Sequence, residues 1–181
     1  MISGFQKEDA FAARKLVVGM IYLSHYQSPL GGITLAGDGR SVCGLWFDGQ
    51  RHFGAALPSG CAEQALPVFE DAVRWLDRYF GGEDPGPPPP LAPLGATPFR
   101  SAVWALLREL PYGSTTTYGR IAARLGGMSA RAVGGAVGRN PISLMIPCHR
   151  VLGADGSLTG YAGGTDRKAA LLALEGVPCG R

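Results

Sequence analysis

A chain of 181 residues is long enough for one large domain or two small ones. No run approaches the roughly 18 apolar residues of a membrane-crossing helix, so the sequence offers no such helix and no membrane role is expected. The net charge of +3 hides an asymmetry: residues 1–90 carry 7 Lys and Arg against 10 Asp and Glu, residues 91–181 carry 10 against 4, and nine of those ten are arginine. A basic half joined to an acidic one points to a polyanionic partner on one side only, and arginine suits bidentate phosphate contacts. Cys43, Cys61, Cys148 and Cys179 show no CxxC and no paired spacing with His25, His52 or His149. Neither a disulfide framework nor a metal site is expected, and no cofactor motif is present.

Residues 1–19 carry Glu8 and Asp9 early and lack a long apolar stretch, so they do not read as a secretory signal. They read as an accessory extension or a short helix. Residues 16–26 and 33–36 then read as strands, 37–39 as a turn and 42–47 as a third strand. Phe69, Val73, Leu76 and Phe80 follow at spacings of four, three and four, which puts one apolar stripe on a helix. A small antiparallel sheet packed on a helix results. Trp46, Phe47, Trp75 and Phe80 read as core, and nothing in this half reads as catalytic. Residues 83–90, with five prolines, read as a stiff, extended spacer that coincides with the change of charge sign. The expected domains are therefore 20–90 and 91–181.

Beyond the spacer the pattern turns helical. Thr97-Pro98 supplies an N-cap and a proline at the first helical position, and Phe99, Val103, Leu106, Leu107 and Leu110 share a face. A second helix fits residues 117–125, closed by Gly126-Gly127. Ser129 caps a third over residues 130–138, giving a helix-turn-helix pattern. Apart from Arg131, that third helix is alanine, valine and glycine, with nothing able to read base edges in the major groove. Such a surface suits close backbone approach without sequence discrimination.

The most informative segment is Pro147-Cys148-His149-Arg150-Val151. It sets a thiol, an imidazole and a guanidinium in consecutive positions, and a neighbouring base or cation is what turns a cysteine into a nucleophilic thiolate. Adjacent side chains do not face one another along a helix or strand, so a water bridging Cys148 and His149 is easier than direct contact.

Together with residues 99–104, 111–118 and 131–136, the Asn140-Pro141 pair and the segments around Tyr161 and Glu175, this stretch resembles the O6-alkylguanine–DNA alkyltransferases. Six blocks in order over some eighty residues carry that resemblance; it does not reach residues 1–19. It implies an α+β fold: an N-terminal ribonuclease H-like sheet with a helix, then a mainly helical, winged-helix-like DNA-binding domain carrying the active-site cysteine. It implies irreversible, single-turnover transfer of an alkyl group from O6-alkylguanine or O4-alkylthymine in duplex DNA to Cys148, after the base is flipped out. No cofactor is implied. The partner would be alkylated double-stranded DNA, bound through the minor groove with little sequence preference by a monomer, alone or cooperatively. A reducing cytoplasm suits a protein that needs a free thiol.

By the same resemblance His149 is the base and Glu175 fixes its tautomer. Asn140 ties the helix-turn-helix to the active-site loop. Arg131 fills the gap left in the base stack, while Ala130, Gly134 and Gly135 allow close approach to DNA. Tyr118 crowds the target phosphate and protonates the leaving guanine. Tyr161, Val151, Ala162 and Ser143 border the base pocket. Ala162 stands where some relatives have serine and Ser143 where some have proline, so tolerance of alkyl groups larger than methyl is expected. Arg150 reads as structural, pairing with a carboxylate or with carbonyls. Three other readings stay open: a lesion-binding module without transfer, a helix-turn-helix regulator and a cysteine hydrolase. Cys148 argues against the first, the base-blind third helix against the second, and the lack of a supporting histidine motif against the third.

Overall fold

The computed structural model describes residues 19–178. Most of the N-terminal extension, the expected strand start at residues 16–18, and Cys179 lie outside the described residues.

Four strands, β1 (Tyr22–Ser28), β2 (Gly31–Gly37), β3 (Val42–Phe47) and the short β4 (Ala62–Glu63), form one sheet in the order β3-β2-β1-β4. The first three are antiparallel neighbours, and β4 runs parallel to β1. The first strand begins later and runs two residues further than its sequence suggests, because Gln27 and Ser28 pair with Gly32 and Gly31 across a tight turn. Strand β3 is buried along its whole length. Leu45 and Phe47 face the main core, while Cys43 and Trp46 join Ile21 and Ala36 in a smaller cluster on the other side. Gly44 makes room for that second layer, since a Cβ there would stand 1.9 Å from the Trp46 ring.

Helix α1 (Pro67–Phe80) buries Val68, Phe69, Ala72, Trp75, Leu76 and Tyr79. The stripe is therefore rotated from the expected one: Val73 and Phe80 are only half-buried and Tyr79 is fully enclosed. The proline-rich stretch is no open spacer. Trp75 Nε1 and Arg78 hold the carbonyls of Gly86, Asp84 and Pro85, and Leu91 bridges in parallel to Val42.

Three helices follow as read from their caps. Thr97, Thr117 and Ser129 each accept a backbone N–H, from Arg100, Arg120 and Ala132, at the starts of α2 (Pro98–Arg108), α3 (Tyr118–Arg124) and α4 (Ala130–Val137). Trp104 of α2 donates its indole N–H to the Ala136 carbonyl (2.9 Å), pinning α4 against α2. A two-residue parallel pair, β5 (Thr116–Thr117) with β6 (Val151–Leu152), and a last helix, α5 (Thr165–Leu174), complete the fold. The outer edge of β3 is where the two halves join. Leu45 N–H donates to the Pro141 carbonyl (2.8 Å) and Ser143 N–H to the Leu45 carbonyl (2.9 Å), so the approach to Cys148 is laid down as an added strand. One core runs from Leu35 and Leu76 through Leu107 and Val133 to Ile146 and Leu171.

Because the Ser129 cap sets the start of α4, Ser129→Ala should cost about 1 kcal/mol. In urea titrations this is a lower midpoint at unchanged slope; an unmoved midpoint would show that the cap contributes nothing.

Candidate active site

Cys148, His149 and Arg150 form a single 3-10 turn, and all three are buried. The turn follows Leu144, whose φ of 68° is rare for a residue with a Cβ and is held by its burial between Ser143 and Met145. Asn140 fastens this loop. Its Nδ2 donates to the Ile142 and Ile146 carbonyls (3.2 and 2.7 Å) and to Cys148 Sγ (3.1 Å), and its Oδ1 accepts from Ile142 N–H (3.0 Å). It thus links the end of α4 to the thiol, as the sequence suggests.

Glu175, just past α5, is fully enclosed and accepts five hydrogen bonds. Oε1 takes His149 Nε2 (2.6 Å), Tyr79 Oη (2.8 Å) and Arg150 Nη2 (3.0 Å); Oε2 takes Arg150 Nε (2.8 Å) and Gly113 N–H (3.1 Å). Arg150 also donates to the Leu110 carbonyl (2.7 Å), so it has both kinds of partner expected of it. Burial opposes the charge on Glu175, but the bonds from His149 and Arg150 win and hold its pKa down to about 2. Burial works the other way on His149, whose pKa is lowered despite the carboxylate. The ring is therefore neutral, with its proton on Nε2 and donated to Glu175, and Nδ1 is left as a buried acceptor with no partner.

Burial also raises the Cys148 thiol, while the Asn140 amide and the Lys168 ammonium act to lower it. Lys168 is fully buried, with Nζ on the carbonyls of Val151 (2.5 Å) and Thr159 (2.9 Å). Neither Lys168 nor Tyr79 stands out in the motif. Lys168 is the single lysine after residue 15, in a half that otherwise uses arginine, and that was a legible signal. Tyr79 offered none, since it sits within an apolar helical stripe; it also corrects the reading that the N-terminal half adds nothing to the site.

Above the thiol lies a cleft of about 540 Å³. Of the sequence-selected residues, Tyr118, Ala130, Arg131, Gly134, Gly135, Tyr161 and Ala162 line it. Cys148, Val151 and Ser143 sit beneath it, Cys148 with 5% exposure and Ser143 with its hydroxyl on Gln50 Oε1 (3.2 Å). Tyr118 donates to the Thr159 carbonyl (3.1 Å), and Gly160, with φ of 77°, has no room for a Cβ beside that hydroxyl. Burial raises the pKa of Tyr118 and Tyr161, so both keep their protons. The cleft also takes in Arg51 and His52, from the N-terminal half, and Arg139.

A buried thiol under a cleft, backed by a Glu–His pair and roofed by a helix-turn-helix, defines a nucleic-acid-binding protein with a nucleophilic cysteine. Two family models together cover most of the chain: "6-O-methylguanine DNA methyltransferase, ribonuclease-like domain" over residues 21–85 and the "DNA binding domain" of the same name over residues 98–177. The methylated-DNA–protein-cysteine methyltransferase of Haemophilus influenzae is 44% identical over 160 residues, covering 87% of this chain and 88% of its own. That of Methanosarcina acetivorans is 46% identical over 158 residues, covering 86% and 99%. Among solved structures, Mycobacterium tuberculosis OGT in complex with DNA superposes with a TM-score of 0.76 at 42% identity, covering 85% of this chain and 92% of its own. The chain belongs to the 6-O-methylguanine DNA methyltransferase family.

The sign of the Glu175 shift sets an acid limit on the site. A carboxyl held at about 2, against an ordinary value of 4.5, contributes fully above pH 4.5 and is lost as pH falls toward 2. Glu175→Gln should lower stability at neutral pH by about 3 kcal/mol and flatten the fall in stability between those two values. Urea midpoints measured across that range check it; an acid limb as steep as the wild type's would assign the titration elsewhere.

Proposed function

We propose that this protein repairs DNA by moving an alkyl group, irreversibly and once per molecule, from the O6 of guanine or the O4 of thymine onto Cys148. The observation that carries the reading is the lone acceptor Nδ1 of His149, buried in the residue next to the thiol while Nε2 is tied to Glu175. A water between the two residues would pass the thiol proton to Nδ1, and Glu175 would steady the imidazolium that forms. The Lys168 ammonium and the Asn140 amide favour the thiolate at that moment.

The sulfur then attacks the alkyl carbon, the carbon–oxygen bond breaks, and the electron pair passes into the purine. Tyr118, still protonated, supplies the proton that completes the guanine and is reprotonated from solvent. The product thioether has no leaving group that water can displace, which is why the protein acts once.

The target base lies inside the duplex and has to leave the stack to reach the cleft. Arg131 on the exposed face of α4 would fill the gap, and Ala130, Gly134 and Gly135 would let that helix press into the minor groove without reading sequence. Tyr161 and Ala162 would flank the flipped base; a small residue at 162 leaves space for alkyl groups larger than methyl. The protein would act as a monomer. The dependence on a reduced thiol places it in the cytoplasm.

Intact-protein mass after incubation with a duplex containing O6-methylguanine tests the reading. A stoichiometric gain of one methylene, absent from Cys148→Ala, is expected. Tight binding with no gain would leave a lesion-recognition module, and neither binding nor gain would sink the repair reading.

A further inference from the structure

The cleft has a wall that the helix-turn-helix does not supply. Directly after β3, the turn over residues 48–54 brings Arg51 and His52 to its rim, both exposed. This turn is held firmly. The buried Gln50 accepts from Phe47 N–H (2.9 Å) and from the Ser143 hydroxyl (3.2 Å), and Arg51 N–H donates to the carbonyl of Ala162 (2.9 Å), itself a cleft residue. His52 carries a φ of 62°, and Gly49 and Gly54 on either side also have positive φ. The turn is therefore anchored to the base pocket at one end and to the approach to Cys148 at the other.

The charge around it is all of one sign. His52 lies close enough to Arg139, Arg51 and Arg100 that, after partial burial, these three are what lower its pKa. No acidic residue lines the cleft. Among the described residues, no carboxylate is paired with Arg51, His52, Arg131 or Arg139. Four basic side chains from both halves facing one opening, none neutralised within the chain, repel one another unless an anion lies among them.

We infer that Arg51 and His52, with Arg139, form a second DNA-contact surface contributed by the N-terminal half, which takes backbone phosphates beside the nucleotide that enters the cleft. The inference rests on the DNA-repair reading and adds a partner surface to it. The helix-turn-helix holds the duplex through α4, and the 48–54 turn holds the same strand from the other half. Since Arg51 is bonded through its backbone to Ala162, a phosphate held there is registered directly against the base pocket.

The test is the salt dependence of duplex binding by Arg51→Ala and by the double variant Arg51→Ala/His52→Ala, beside Arg74→Ala, which removes an equal charge from the exposed face of α1. Each lost phosphate contact should make the plot of log affinity against log salt shallower by about one unit, with affinity down about fivefold at moderate salt, whereas Arg74→Ala should keep the wild-type slope. The ratio of the transfer rate from duplex to that from free O6-benzylguanine, which carries no phosphate, should fall with the affinity. Slopes equal to wild type in both cleft variants would overturn the inference. An equal loss toward duplex and free base would also overturn it, by placing Arg51 in the transfer site itself. A wild-type protein that takes alkyl groups from free base but does not bind duplex would instead overturn the repair reading and this surface with it.

Discussion

One enclosed carboxylate orders this molecule. Glu175 accepts from α1 through Tyr79, from the turn before β5 through Gly113, and from the thiol loop through His149 and Arg150, and it sits where α5 ends. Taking such a charge out of water costs several kcal/mol, and the end of a helix is the unfavourable place for it because the helix dipole is negative there. Only a set of donors this complete, with a guanidinium among them, makes the position tolerable. The reverse also holds. With five donors converging on two oxygens, none of the segments that supply them can shift without leaving that charge short of a partner. The placement of the thiol turn relative to both halves follows from this constraint.

The same burial governs reactivity. Cys148 and His149 are each pushed toward their neutral forms, so at rest the site holds a thiol and an imidazole. A permanent thiolate would be the better nucleophile, but it would also be open to oxidation, and an acceptor used once has no means of recovering from that loss. Lys168 and Asn140 resolve the conflict. Each lowers the cost of the thiolate without forming it, so the charge is stabilised when the proton leaves and not before. Lys168 does this while its ammonium is held on two backbone carbonyls, one on β6 and one beside the cleft.

What the sequence made legible was local. Thr97, Thr117 and Ser129 could be read as caps because a cap is decided within four residues. Cys148, His149, Asn140 and Glu175 could be read because their spacing and neighbours matched a known arrangement; the structure brings all four together. What was hidden depended on partners far along the chain. Tyr79 reads as one more aromatic in a helical stripe, and its hydroxyl finds Glu175 across 96 positions. Arg51 and His52 look like a solvated turn until Ala162 is seen bonded beneath them. Leu91, at the end of a run of prolines, joins the edge of β3 because Pro90 keeps a carbonyl to offer to Val42 even though it has no N–H of its own.

Those hidden contacts share a direction: each leads from the acidic N-terminal half into the chemistry of the basic one. Strand β3 is the means. Its inner neighbour is β2, and its outer edge would otherwise expose unpaired N–H and C=O groups. That edge is closed by Pro90 and Leu91 at one end and by Pro141 and Ser143 at the other. The second pairing carries the chain from Asn140 toward Cys148, so the height of the thiol loop above the core is set by strand register. A slip of one residue along β3 would turn Ile142 out of the core and Ser143 into it. The N-terminal sheet therefore acts as the template on which the loop is built, and its following turn, at residues 48–54, stands at the rim of the cleft because β3 has already been brought alongside.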